Sequence, residues 1–138
     1  MNIRVALTHE PIGACDVADV TPEGTLGARV EFSGVVRAEE NCQAIQALEY
    51  EAYEAMAVHM MRDILEDLGA QHGCLTARVV HRLGRVPVGD VAIWVGVGAV
   101  HRGEAFALVT EFMDRLKRDV PIWKRPPLVA GKALGPGP

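Results

Sequence analysis

Residues 44–52 read AIQALEYEA and residues 53–68 read YEAMAVHMMRDILEDL, and the hydrophobic period changes at the boundary between them. In the first piece Leu48 and Tyr50 fall opposite Ile45, Ala47, Glu49 and Glu51, the two-residue period of an extended strand. In the second, Tyr53, Met56, Ala57, Met60, Met61, Ile64, Leu65 and Leu68 follow the i, i+3, i+4, i+7 spacing of a helix with one apolar face. Gly69 and Gly73 supply its stop signals. A strand running directly into an amphipathic helix sets the expectation of a sheet covered by helices.

Upstream, Val30, Phe32, Gly34 and Val36 alternate with Arg29, Glu31, Ser33 and Arg37, and the polar stretch 38–43 follows. That order predicts an antiparallel pairing of this strand with 44–52. Residues 2–8 read as a further strand, closed by Pro11-Ile12-Gly13, with weak helical character before Gly24. Downstream, Leu75–Arg82 and Val91–Val97 flank a turn at Val86–Asp90 and predict a second hairpin. One face of 91–98 carries Ala92, Trp94, Gly96 and Gly98, small enough in part to admit another backbone, in a sheet interior or a subunit contact. A second helix is predicted over 102–118, with Ala105, Phe106, Val109, Phe112, Met113 and Leu116 as its buried stripe and Pro121 marking its end. The fold class is therefore α+β, an antiparallel-rich sheet with two main helices. The sequence divides into one domain over 1–125 and a Pro/Gly-rich tail, 126–138, expected to fray.

Composition narrows the function classes. With 138 residues, 49% of them apolar, the chain sustains a single core. No apolar run approaches the roughly 20 residues of a membrane span, and Met1-Asn2-Ile3-Arg4 opens no secretory signal, so a cytoplasmic location is expected. A net charge of −4 argues against nucleic acid or anionic membrane as partners and requires any anion site to be local. Cys15, Cys42 and Cys74 are too scattered for a disulfide framework or a zinc site, so no metal and no cofactor is expected.

The cations carry a sharper signal. Eleven are Arg and three are Lys, at 117, 124 and 132. A position that keeps Lys in an Arg-rich chain is a candidate for an amine that must deprotonate. Outside the core, Arg37 ends a strand, His101-Arg102 opens a helix, and Lys117 to Arg125 surround that helix's end. Cations at a helix N-terminus oppose the helix dipole, which an anion there would resolve. Lys117, by contrast, sits where the dipole welcomes any cation, and Trp123 and Lys124-Arg125 read equally well as an anchor and a solvated pair.

Four stretches taken in order, GARVEFSGVVR (27–37), LEYEAYEAMA (48–57), VVHRLGRVPVGDVAIWVGVGAVHRGEAF (79–106) and MDRLKRDVPIWKR (113–125), resemble the large, catalytic subunit of molybdopterin synthase. The resemblance implies an α/β hammerhead-type domain with added strands. It implies transfer of two sulfurs to cyclic pyranopterin monophosphate, forming the dithiolene of molybdopterin. The sulfur donor is a ubiquitin-like small subunit with a C-terminal Gly-Gly thiocarboxylate, and the assembly is a homodimer of large subunits with a small subunit at each end, a heterotetramer.

Carried over by motif, Lys117 in MDRLK and Lys124 in PIWK match the catalytic lysines. Arg37, His101 and Arg102 match the anion binders, and Phe32 and Met113 the pocket lining. All seven are expected around one site, with Lys117 buried against Arg37 and Arg102 so that its neutral amine is accessible. The chain departs from the family after Arg125, where Pro126-Pro127 replace an acidic residue and a longer tail. That departure leaves one alternative, a non-catalytic module that binds a small phosphorylated ligand or a ubiquitin-like partner.

Overall fold

The computed structural model describes residues 1–19 and 21–125, together with the backbone of Leu128–Val129. Its elements are β1 (Asn2–Thr8), α1 (Ala14–Val17), β2 (Ala28–Val35), β3 (Glu39–Glu40), β4 (Gln43–Ala52), α2 (Glu54–His72), β5 (Thr76–Arg82), β6 (Gly84–Pro87), β7 (Val91–Ala99), α3 (Arg102–Asp119), β8 (Ile122–Lys124) and β9 (Leu128–Val129). Four strands form one sheet in the order β1-β5-β7-β2, parallel at β1-β5 and antiparallel elsewhere. Helices α2 and α3 pack on one face, where Met61, Leu65, Leu108 and Phe112 are fully buried against Val79 and Val95. Each such side chain contributes roughly 1.5–3 kcal/mol of burial.

The second sheet is organised by β4, which pairs with β3, β6, β8 and β9. Its own small core joins Val36, Ile45, Leu48, Val86 and Ala92. The antiparallel-rich α+β architecture expected from the sequence is thus present, with the added strands gathered around β4. Within the segment expected to fray, Leu128–Val129 extends this sheet beside Ile45 and Ala47. Residues 126, 127 and 130–138 lie outside the described residues.

Four expectations are corrected. The strand at 28–35 does not pair with 44–52; it pairs with β7, with Val30 beside Val97 and Phe32 beside Val95. The physical reason lies in the loop, where Asn41 and Cys42 both take positive φ and close a two-residue hairpin between β3 and β4. The polar stretch thus supplies its own short strand, and β2 is left to the larger sheet, whose core its Val30 and Phe32 join. The predicted hairpin of β5 and β7 does form, although β6 departs from between them to pair with β4.

Gly69 does not end α2, which continues to His72 and stops at Gly73, φ +73°, whose N–H donates to the Gly69 carbonyl. A Cβ at Gly69 would meet the flexible end of the Met1 side chain, which covers this turn of the helix. Gly96 and Gly98 admit no second backbone either. The Trp94 indole covers Gly96 and the Leu26 side chain covers Gly98, so this face is filled from within the chain. The Arg78 guanidinium stacks on that indole at 4.9 Å. The glycine face therefore offers no ground for a subunit contact. On α3 the buried stripe is Ala105, Leu108, Val109, Phe112 and Leu116, while Phe106, one residue off it, is 57% exposed.

Among the described residues no helix is long and apolar enough to cross a membrane.

Candidate active site

A cleft of ≈ 630 Å³ opens where the end of β2, the last turns of α3 and the β4–β8 pair meet. Phe32, Arg37, Met113, Lys117 and Lys124 all line it. Residues from three separate parts of the chain thus reach one space, each delivered by a different local device.

Lys117 is placed by helix periodicity. It stands four residues after Met113, so the two share a face on successive turns, next to buried Leu116. Lys117 is exposed and forms no ion pair among the described residues. Lys124 is placed by sheet register: β8 pairs with β4 so that Tyr50 faces Lys124 and Ala52 faces Ile122. Backbone bonds lock both ends of that pairing, Tyr53 N–H to the Pro121 carbonyl at 3.1 Å and Arg125 N–H to the Glu49 carbonyl at 2.8 Å. The Trp123 and Tyr53 rings meet edge to face at 5.1 Å just outside.

Arg37 follows the bulge at Gly34/Val35 where β2 leaves β7. Its predecessor Val36 donates its N–H to the Asp90 carbonyl at 3.0 Å and accepts from Gly89 N–H at 2.9 Å. Arg82, only 8% exposed, clamps that turn through Nη1 to Asp90 Oδ2 at 2.9 Å. Arg37 itself lines the cleft and has no carboxylate partner among the described residues.

Three cleft residues escaped the sequence reading. Glu40 of the β3–β4 hairpin pairs with Lys124, Oε1 to Nζ at 3.4 Å, so one lysine is neutralised and the other is not. Tyr50 is partly buried, and burial followed by the Glu40 charge pushes its phenol above the ordinary value, keeping its proton. His81, 4% exposed, meets Tyr50 edge to face at 5.0 Å. Burial holds its imidazole below the ordinary value and outweighs the opposing bond to the Arg82 carbonyl. A polar residue interrupting Val79-Val80-His81-Arg82-Leu83 was the available signal for it.

His101 and Arg102 do not line the cleft. They open α3, whereas Lys117 closes it, and fifteen residues at 1.5 Å rise separate the ends by about 22 Å. His101 faces its own Glu104, Nδ1 to Oε1 at 3.4 Å. Convergence of all seven residues within one chain is thus corrected by helix length. The burial of Lys117 against Arg102 fails for the same reason.

The arrangement has a clear chemical capacity. Arg37 and Lys117 give unpaired positive charge for an anion, and Phe32, Met113, Leu48 and Ile93 give apolar wall for a flat ring. The Lys124–Glu40 pair and the Tyr50 hydroxyl supply groups that hold or exchange protons. Among the described residues no three His, Cys, Asp or Glu side chains are grouped as a metal would need.

Comparison with known proteins places the chain among relatives of known family. The MoaE protein family matches residues 7–119. A molybdopterin synthase catalytic subunit from Nostoc sp. is 35% identical over 121 residues, covering 87% of this chain and 73% of that relative. One from Thermoplasma volcanium is 33% identical over 125 residues, covering 91% of each. Among solved structures, molybdopterin synthase from Staphylococcus aureus superposes with a TM-score of 0.81 at 31% identity, covering 91% of both chains. A molybdopterin biosynthesis MoaE protein from Burkholderia ambifaria superposes at 0.76 with 28% identity, covering 91% of this chain and 83% of that one. By the extent of the match and its identity to these relatives, the chain belongs to the MoaE family, that of the molybdopterin synthase catalytic subunit.

Proposed function

We propose that this chain is a sulfurtransferase that converts cyclic pyranopterin monophosphate to molybdopterin, taking sulfur from the C-terminal thiocarboxylate of a ubiquitin-like small subunit. One observation carries the reading: both lysines of the described chain open into the same cleft, and of its arginines Arg37 alone joins them. A chain that uses arginine elsewhere keeps its amines where an acyl–thio intermediate would need one.

Within the cleft Arg37 binds the phosphate, and Phe32 and Met113 flank the pterin. Lys117, with no acidic partner among the described residues, acts as the proton shuttle or transient acyl acceptor, and Lys124 binds the substrate while held by Glu40. As acyl acceptor, the neutral amine attacks the carbonyl carbon joining the partner to the transferred sulfur. The C–S bond breaks, the sulfur stays with the pterin, and the amine proton goes to it. Lys117 is exposed in the isolated chain, and the partner's C-terminal segment entering the cleft would shield it from water.

His101 and Arg102 belong to this reading only through a second copy. Since α3 holds them about 22 Å from Lys117, a homodimer must present them to its partner's cleft if they contact the same anion. The exposed Val100 and Phe106 beside them give that end of α3 apolar surface for such a contact. A cytoplasmic location accords with three free cysteines, two of them exposed.

Incubating the purified chain with the thiocarboxylated small subunit and cyclic pyranopterin monophosphate tests the proposal. Dithiolene product is expected. Tight binding of substrate and partner without product would instead favour the non-catalytic module, for which the residues after Arg125 are the motivation.

A further inference from the structure

Donors dominate the cleft. Arg37, Lys117 and Lys124 donate only, and the Tyr50 phenol keeps its proton. On the acceptor side, Glu40 is engaged by Lys124 at 3.4 Å. A heterocycle carrying ring N–H groups, as a pterin does, would find these walls poorly matched to its own donors, and a buried donor without an acceptor is costly.

His81 answers that mismatch. It stands one residue before the end of β5 on the cleft wall, where the large sheet meets β4. Its Nδ1 lies 2.7 Å from the Arg82 carbonyl, and because a carbonyl only accepts, that nitrogen carries the proton and donates. The tautomer is thereby fixed with the lone pair on Nε2, the far side of the ring. The edge contact with Tyr50 at 5.0 Å holds the ring plane. Burial keeps the imidazole neutral at pH 7, so the lone pair stays available beside Arg37, Lys117, Lys124 and Glu40, the charged groups around the cleft. A histidine kept only for structure would need its Nδ1 bond to the Arg82 carbonyl and its aromatic edge alone, and a ligand in the cleft would leave its Nε2 unchanged.

We infer that His81 is a specificity-determining residue of the cleft, whose Nε2 accepts a hydrogen bond from a ring N–H of the bound pterin. The inference rests on the sulfur-transfer reading for the identity of the ligand, and on cleft geometry for the acceptor.

The test uses wild type, His81→Phe and His81→Gln, each with saturating thiocarboxylated small subunit and varied cyclic pyranopterin monophosphate. His81→Phe should raise KM roughly 10-fold with kcat changed little, the mark of lost binding common to ground and transition states. His81→Gln, which places an oxygen near the Nε2 position, should recover part of that loss. A KM within twofold of wild type in a folded His81→Phe would overturn the inference.

A second measurement does not depend on turnover. Long-range ¹H–¹⁵N spectra of histidine-labelled protein should show the His81 proton on Nδ1. Its Nε2 resonance should move on adding the pterin and stay put on adding inorganic phosphate alone. A proton on Nε2 in the free protein, or no response to the pterin, would overturn the assignment even if no variant folds. If wild type makes no product yet Nε2 responds to the pterin, the catalytic reading fails and the binding role of His81 stands.

Discussion

The two ends of α3 carry similar residues and differ in nearly everything else. At the N-terminus His101 and Arg102 are exposed and outside the cleft, His101 turned to its own Glu104, with about 22 Å of helix between Arg102 and Lys117. At the C-terminus Lys117 lines one cavity together with Arg37, two residues past β2, and Lys124 of β8. A cation becomes part of a site where other elements of the fold build walls around it. The second sheet does that at one end of α3, while at the other only a second chain can.

The sharpest way to break this contrast is subunit complementation. Lys117→Ala and Arg102→Ala are each expected to lose turnover by 100-fold or more, on the order of general acid–base losses. If Arg102 serves a partner's cleft, randomly re-paired mixtures of the two variants should regain about one quarter of wild-type activity. Half of the dimers would be mixed, and one of the two sites in each would be intact. No recovery, with mixed dimers demonstrated, would remove Arg102 from the site.

Smaller effects separate the two lysines. Lys124→Ala should raise KM several-fold and lower the rate modestly, because it removes a substrate contact and strips Glu40 of its counter-charge. An unchanged KM at full rate would return Lys124 to a solvated pair. For the anion, phosphate should raise the melting temperature of wild type by mass action, and Arg37→Ala should abolish most of that rise. Arg118→Ala, on the same helix end but paired with Asp119, should leave the rise intact. Equal loss in both would point to general ionic effects.

The least effect is expected from pH. The folded-state value of His81 lies below its ordinary 6.5, so its neutral form is favoured on folding. Its contribution is complete above pH 6.5 and is lost as the solution falls through that value toward the folded one, because the unfolded chain then binds the extra proton. His81→Phe should flatten that part of the stability profile. A profile as steep as wild type would show that another group titrates there.

The helices and the alternating faces were legible in the sequence because periodicity reports which side of an element is buried. Which strand lies beside which was legible for β5 and β7 but not for β2. The pattern of 28–37 suits either β4 or β7, and the turn at Asn41-Cys42, carrying no glycine, gave no sign of a primed hairpin. Phe106 was misplaced for a related reason, since a hydrophobic side chain one step off the stripe looks like part of it until the sheet beneath is known.

For the site, resemblance pointed to seven residues, and the cleft unites five of them. It did not point to Glu40, Tyr50 or His81, although the last two lie within the quoted stretches, because their roles depend on how β4 crosses the larger sheet. Nor could linear order reveal that α3 parts His101 and Arg102 from Lys117.

The role proposed for the exposed amine of Lys117 is chemical, and one substitution isolates it. Lys117→Arg keeps the charge and its place at the helix C-terminus, yet removes the amine able to deprotonate. In the reconstituted reaction with thiocarboxylated small subunit and cyclic pyranopterin monophosphate, this variant should fold and bind the small subunit like wild type and form no dithiolene product. Product at near wild-type rate would contradict the assignment.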